Sequence, residues 1–326
     1  MRVLVTGGAG YIGSFLVRWL LAQGHTVRVL DNLSTGRREA IPDVPVDVFD
    51  VRDSDAVSAI TRNFAPEAII HLAGVKSSAE SVQRPHVYYD INVTGTAVLL
   101  RAAVLHGVER FVFSSSCAVY GSPQVCPVDE RTAPRPQSPY GDTKLACERM
   151  LDWHARVSGM RFASLRYFNV AGAAEDGSLG QFTGPETVQL VPLAIKAALG
   201  GKPLQIFGGD YPTKDGTAVR DYIHVEDLAA AHVRVLERLD TSEVSGVYNL
   251  GTGQPASVQE IVTAVEEAAG RPVPHTMTCR RAGDPAVSWA DAAQARQVFD
   301  WAPKRDLRDI VSSSWLWHTS SARSNG

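Results

Sequence analysis

The chain has 326 residues, 44% hydrophobic and 21% charged, with a net charge of −3. Those values suit a globular chain of one large or two modest domains, and with no basic run longer than Arg37-Arg38 or Arg280-Arg281 they argue against a nucleic-acid partner. No apolar run approaches the ~18 residues of a membrane span, and the start of the chain leaves no room for a signal peptide. The four cysteines (Cys117, Cys126, Cys147, Cys279) lack metal-ligand spacing, so the expectation is a cytoplasmic protein with reduced thiols and no metal.

The first element is a short apolar run, Val3-Leu4-Val5, leading into Thr6-Gly7-Gly8-Ala9-Gly10-Tyr11-Ile12-Gly13 and then an amphipathic stretch (Phe15, Leu16, Trp19, Leu20) that ends near Gly24. This reads as strand, glycine turn and helix. Glycines at 7, 10 and 13 are spaced for a tight turn, close backbone approach to a pyrophosphate and close helix–strand packing. Free N–H groups and the positive end of the helix dipole then meet the phosphates. A second strand, 26–30, ends in Asp31, eighteen residues beyond Gly13. A carboxylate there accepts from an adenine ribose hydroxyl and repels a 2′-phosphate, favouring NAD over NADP, with Arg37 and Arg38 the feature on the other side.

Strands and helices continue to alternate: strand 46–49, helix 54–64, strand 68–72, helix 85–106, strand 110–114, a helix from Tyr140, and strand 162–167. Alternation of this kind predicts an α/β fold, a Rossmann-type doubly wound parallel sheet that binds ligands at its strand C-termini. From about Val170 the texture changes to long loops (172–184, 208–216) around a helix at 188–199. Residues 221–238 read as a helical return to the sheet, 247–250 as a further strand, 258–269 as a helix, and 318–326 as a disordered tail. The division expected is an NAD-binding domain of 1–169 plus about 221–250, and a smaller α/β substrate-binding domain of about 170–220 plus 251–317.

Within Ser138-Pro139-Tyr140-Gly141-Asp142-Thr143-Lys144, Tyr140 and Lys144 stand four residues apart after a proline that can open a helix. On a helix they share a face, and a nearby ammonium favours the phenolate. A free tyrosine titrates near ~10, and bringing it toward ~7 needs roughly 4 kcal/mol. A lysine plus a cationic nicotinamide in a dry site can supply that, making Tyr140 a general base for an alcohol proton.

With the glycine turn, Ser114-Ser115-Ser116 at a strand end and Tyr140/Lys144 placed, the chain resembles the extended short-chain dehydrogenase/reductase family, and within it the UDP-galactose 4-epimerases, from Arg2 to about Trp317. The most specific stretches are Asp31-Asn32-Leu33, Ser114 to Gly121, Tyr167-Phe168-Asn169, Val219 to Val225, Tyr248 to Gly251 and Arg280 to Pro285. The resemblance implies catalysis by Tyr140 as base, Ser116 on the sugar O4, and Lys144 on the nicotinamide ribose. It implies an NAD site lined in chain order by Gly7, Gly10, Tyr11 and Ile12, then Asp31 and Asn32, then Asp50 and Val51. Leu72, Ala73, Gly74 and Lys76 follow, then Asn92, Ser114 and Tyr167 beside Tyr140 and Lys144.

For the UDP-sugar it implies Lys76, Ser116, Tyr140 and Asn169, then Gln189, Leu190, Gln205 and Phe207, and finally Arg220, Arg281, Asp284 and Ser288. Two arginines suit a diphosphate and an aromatic suits uracil. The family usually has Asn or His where this chain has Gln189, whose amide can still donate to a phosphate. Ser288 stands at a position beside the sugar C2 substituent, and its small size implies room for an N-acetyl group.

The function expected is NAD-dependent 4-epimerisation of a UDP-hexose through a 4-keto sugar, in a homodimer paired through apolar faces of helices 85–106 and 140–157. Epimerases of UDP-glucuronate or UDP-xylose share the chemistry. A 4,6-dehydratase needs a carboxylate where this chain has Cys117-Ala118, and an NAD-sensing regulator typically loses the tyrosine or lysine kept here. Cys117 reads as a small buried hydrophobe, His224 as structural, Trp315 and Trp317 as packing, and Asp129-Glu130 as a solvated turn.

Overall fold

Side chains along a strand point alternately to its two faces, so a strand that is apolar at every position needs cover on both. In the computed structural model, which describes residues 1–184, 187–281 and 283–324, strand β1 (Arg2–Thr6) sends Val3 and Val5 into one core and Leu4 into another. It lies between β2 (Thr26–Leu30) and β4 (Ala68–His71), with β3 (Val46–Asp47) outside β2. Beyond β4 come β5 (Arg110–Ser114), β6 (Arg161–Tyr167) and β10 (Gly246–Leu250), and every pairing is parallel. Strand order reverses between β1 and β4, and ligands bind such sheets in the crevice outside those carboxyl ends.

A second sheet forms around β9 (Val219–His224), which pairs antiparallel with β11 (Pro255–Ser257) and parallel with β7 (Asn169–Ala171) and β13 (Val287–Ser288). β8 (Leu204–Phe207) and β12 (His275–Thr278) make a separate parallel pair. Helices Leu190–Ala198, Val258–Ala269 and Leu307–Ser324 bury Val191, Ile195, Ile261, Val265 and Ile310 in a core of their own.

Several expectations from the sequence need correction. Residues 221–224 are strand, not helix, and belong to the smaller sheet; the helix begins at Val225, where His224 caps it by accepting from the Glu226 N–H at 3.1 Å. The β3 strand is two residues long, because Val48 and Phe49 turn out to solvent. Residues 85–106 form a run of helical segments, Pro85–Tyr88, a π-helical Tyr89–Thr94 and Gly95–Leu105. Residues 318–324 belong to helix Leu307–Ser324 and are not a loose tail; 325 and 326 lie outside the described residues. Trp317 anchors that helix, donating to the Gln181 carbonyl at 3.1 Å and meeting Phe182 edge-on. Ala295, Phe299 and Trp301, placed by sequence in the smaller domain, pack into the larger core. Of the acidic pair, Asp129 makes the expected turn, but Glu130 is half-buried and accepts from the Asn249 N–H at 2.7 Å.

Three buried imidazoles make this fold sensitive to acid. Burial holds His71 and His224 down to about 3 and His232 to about 4, so each stays neutral in the fold and takes up a proton only when the chain opens. A depressed base contributes stability that is fully present above its unfolded value of ~6.5 and is lost as pH falls toward the folded value. We expect the urea midpoint to fall between pH 7 and pH 5. His232→Asn, which keeps a donor for the Leu228 carbonyl, should flatten that fall by roughly 1 kcal/mol per pH unit. Equal slopes in parent and variant would contradict a neutral His232.

Candidate active site

The turn after β1 is built where side chains do not fit. A Cβ on Gly7, whose φ is +72°, would lie 2.6 Å from the Ala73 nitrogen, and one on Gly13 would lie 2.2 Å from the Gly7 carbonyl oxygen. Helix Tyr11–Ala22 therefore starts hard against the crevice between β1 and β4, with no side chain capping it and no acid in its first turn. Unpaired N–H groups at a helix start attract an anion, and this cradle fits a pyrophosphate. Asp31 is buried beside it, accepting from the N–H groups of Ala9 at 3.0 Å and Leu33 at 2.9 Å. Asp50 is held down to about 2, chiefly by its hydrogen bonds from Arg52, and accepts from Asn32 at 3.3 Å. Val51 forms the apolar floor, packed against Gly95. The Tyr11 hydroxyl donates to the Gly172 carbonyl at 2.6 Å and ties the turn to the loop after β7. Ile12 packs into the core.

The far end of the crevice is organised by Asn92. Its amide accepts from the Val75 N–H at 2.9 Å and donates to the Val75 carbonyl and the Thr143 hydroxyl, each at 3.1 Å. That side chain joins the Leu72-Ala73-Gly74 segment to the helix of Tyr140. It sits in the π-helical stretch, whose wider turn leaves the Asn92 carbonyl to accept from Thr96 at 2.6 Å and the Cys147 thiol at 3.4 Å. Lys76 stands exposed at the rim.

Pro139 opens helix Pro139–Ser158 at its first position, with Ser138 capping it through the Gly141 N–H at 3.2 Å. A Cβ on Gly141 would lie 2.5 Å from the Ala118 carbonyl, so the helix start packs directly on the turn that follows β5. This contact brings Ser116 to Tyr140. The Ser116 oxygen accepts from the Ala118 N–H at 3.2 Å, leaving its hydrogen for the Tyr140 oxygen. Lys144 is buried, donates to the Ser114 carbonyl at 2.8 Å and lies 5.9 Å from the centre of the Tyr140 ring. The Ser114 hydroxyl meets Tyr167.

One electrostatic expectation is corrected here. Among the protein's own groups burial dominates, raising the Tyr140 phenol well above its ordinary value against the opposing pull of the Ser116 bond. Burial also lowers Lys144, to about 8, while Cys147 and Glu148 hold it up. Burial pushes the Tyr167 phenol up to about 12 and the Cys117 thiol to about 11, so neither is a nucleophile.

The residues expected on a nucleotide sugar converge from the smaller sheet. Arg220 on β9 pairs with Asp284, and the buried Ser288 stands beside Arg220 in register on β13. Asn169 bonds Tyr222 from the neighbouring β7. Arg281 lies over the Phe207 ring at 3.8 Å, with Gln205 exposed two residues earlier on β8. Gln189 precedes helix Leu190–Ala198 without capping it through its side chain, and its Oε1 accepts from Gln181 at 3.0 Å, while Leu190 packs into the small core. Sequence reasoning missed the residues that hold these in place. Asp221 is fully buried and accepts from the N–H groups of Thr252, Gly253 and Ala290 at 2.9, 3.1 and 3.3 Å. Glu148 and Arg166 form a buried ion pair behind Ser115. The detectable sign for Glu148 was its spacing, eight residues on from Tyr140 along the same stripe.

Among the described residues, no group of His, Cys, Asp and Glu could hold a metal, and no helix is long and apolar enough to cross a membrane.

A dinucleotide crevice with a Ser–Tyr–Lys cluster at its inner end defines the class, and residues 3–251 match the NAD dependent epimerase/dehydratase family, to which this chain belongs. The chain is 45% identical over 323 residues to the UDP-glucose 4-epimerase of Lactobacillus helveticus, covering 98% of each. Its structure matches that of the Stenotrophomonas maltophila UDP-glucose-4-epimerase, crystallised with NAD and formylated UDP-arabinopyranose, at a TM-score of 0.95 and 40% identity over 99% of both chains. A UDP-Glc/GlcNAc 4-epimerase from Campylobacter jejuni is similar at a TM-score of 0.85 and 39% identity, covering 98% of this chain and 99% of that one.

Proposed function

We infer that this chain is an NAD-dependent isomerase that interconverts UDP-hexoses at C4, UDP-galactose and UDP-glucose foremost. The observation that carries the reading is the meeting of Tyr140, Ser116 and Lys144 at the end of β5. Similarity to UDP-glucose 4-epimerases over nearly the whole chain supports it. The residues that would hold NAD are the Gly7–Gly13 turn for the pyrophosphate, Asp31 and Asn32 for the adenine ribose, and Lys144 with Asn92 toward the nicotinamide. NAD, when bound, supplies the acceptor that takes hydride from C4 and gives it back.

Ser116 and Tyr140 would bracket the sugar O4, Tyr140 taking its proton and later returning it. Lys144 would stabilise the phenolate and bond the nicotinamide ribose. Arg220 and Arg281 would hold the diphosphate, Phe207 the uracil, and Asp284 a ribose hydroxyl, which requires it to leave its present pairing with Arg220. The flat 4-keto sugar turns over before reduction on its other face. The dehydratase alternative lacks a carboxylate at Cys117-Ala118, and the regulator alternative is at odds with the retained Ser–Tyr–Lys cluster.

Two domains suit this reading, a nucleotide-binding part around the seven-stranded sheet and a sugar-binding part around β9, with the site between them. A cytoplasmic homodimer completes it. Helix Pro139–Ser158 leaves Trp153 66% and Val157 88% exposed, with Tyr89, Val104 and Leu105 exposed on the neighbouring run, an apolar face suited to a second copy across a two-fold axis.

Purified protein should interconvert UDP-galactose and UDP-glucose. Tyr140→Phe should fold and keep NAD and UDP-sugar binding while losing at least ~10²-fold in turnover; activity within a few-fold of the parent would place the base elsewhere. Light scattering at micromolar concentration should give a dimeric mass, and a monomeric mass would remove the paired-helix reading. Ser288, small and buried beside Arg220, should admit an N-acetyl group, so UDP-N-acetylglucosamine should also be converted. Ser288→Tyr should abolish that conversion and spare UDP-galactose, since overfilling a packed site costs typically 1–3 kcal/mol. A parent enzyme that converts UDP-galactose but not UDP-N-acetylglucosamine would refute the role of Ser288.

A further inference from the structure

Tyr140, Lys144 and Glu148 follow one another at four-residue spacing along helix Pro139–Ser158, and the reaction described above uses only the first two. Glu148 is gripped from β6 by Arg166, whose Nε donates to Oε1 at 2.8 Å and whose Nη2 donates to Oε2 at 2.5 Å. Both side chains are almost wholly buried. The same Oε1 accepts from the Ser115 hydroxyl at 2.5 Å. Ser115 is the middle residue of a strand end whose two neighbours both touch the reacting cluster. Ser114 gives its carbonyl to Lys144 and its hydroxyl to Tyr167, and Ser116 reaches Tyr140.

A purely architectural ion pair explains these contacts poorly. Removing two charges from water is costly, and a buried pair can often be replaced by apolar side chains without loss of stability. The Arg166 guanidinium spends two of its nitrogens on Glu148 and lies over the Tyr120 ring, so the pair is held from β6 and from the turn after β5 together. What the pair does achieve is to fix the direction of one carboxylate. The groups facing it are Lys144 and Cys147 from its own helix, Ser115 from the strand end, and Arg166, which lies over the Tyr120 ring at 4.8 Å.

We propose that Glu148, clamped by Arg166, is a positioning residue for the epimerisation: it pins Ser115 so that Ser114 and Ser116 are presented to Lys144 and Tyr140 in one geometry. The proposal rests on the reading of Ser116, Tyr140 and Lys144 as the reacting cluster. The Ser115 bond carries the geometry, and Glu148, one helical turn from Lys144 on the same helix face, places a charge beside its ammonium, so the two effects can be separated.

Three variants test it on the NAD-loaded enzyme with UDP-galactose. Ser115→Ala keeps every charge and should lower kcat about 3–10-fold with KM within about 3-fold, because a misplaced reacting group costs rate more than binding. Its alkaline limb of kcat against pH should stay where the parent has it. Glu148→Gln should move that limb to lower pH by about half a unit or more, since Lys144 loses the charge that holds it up. Glu148→Leu with Arg166→Met removes the pair without stranding either charge, and should melt near the parent temperature while losing about 10-fold or more in kcat. A folded double variant within about 2-fold of parental kcat, or an unmoved limb in Glu148→Gln, would overturn the proposal. Should the double variant fail to fold, the two single variants decide. If the parent converts no UDP-hexose, the functional reading falls instead. A crystal structure of Ser115→Ala then tests the positioning alone, which predicts a displaced Ser116 side chain and a lengthened Lys144–Ser114 bond; unchanged positions would refute it.

Discussion

No side chain fits between the turn after β1 and the end of β4, and much of the molecule is arranged around that exclusion. Gly7 brings its backbone onto Leu72 and Ala73, and Gly13 brings the first helix onto Gly7. The sheet's two apolar cores fix where these strands end, and the glycines fix how closely their ends approach. A larger residue at either place would push the helix start away from the crevice and spoil the cradle of N–H groups. The cost would be paid in binding as well as in packing, because anion recognition here depends on backbone that no side chain can replace.

Around that crevice the chain buries polar groups in matched sets. Thr6, His71 and Thr96 form one line, with His71 bonded to the two threonines at 2.6 and 3.0 Å. Asn92 and Thr143 form a second, and Glu148, Arg166 and Ser115 a third. A satisfied buried polar group contributes about 0.5–1.5 kcal/mol, but a stranded one costs about 1–3, so each set resists small displacements of its members. These sets lie at strand ends and helix starts, where loops meet the crevice. Apolar contacts hold the layers together, and polar contacts fix the angles at which the loops leave them.

That division explains what could be read from the sequence. Periodicity and residue spacing gave the seven parallel strands, the helix opening at Pro139 and the Tyr140–Lys144 pair, because each leaves a regular local pattern, whereas Ser116 came from the family resemblance. The smaller sheet was largely illegible. Its strands β7, β11 and β13 are two or three residues long, too short for alternation to register, and they exist because β9 offers them edges. Asp221 was hidden for a related reason: it looked like part of a helix, yet it is fully buried and bonded to three backbone N–H groups from distant segments. The π-helical turn at Asn92 left no mark in a pattern that is otherwise plainly helical.

The electrostatics of Tyr140 follow from the same burial that holds the site together. In the role proposed for Tyr140, a base that takes the O4 proton and later returns it gains nothing from extreme acidity, because a phenol that gives its proton up too readily returns it poorly. Burial raises Tyr140, the Ser116 bond lowers it, and Lys144 adds a cation that is itself only partly secured, held down to about 8 by its own burial. With NAD held as proposed, the positive charge of an oxidised nicotinamide would lie in a medium of low dielectric, where it would count for more than in water. On the proposed reading, deprotonation of Tyr140 would be coupled to the oxidised form of the cofactor. A dry site with a high intrinsic phenol value therefore suits this reaction better than an exposed, already acidic tyrosine would, since it lets the cofactor's charge decide when the proton moves.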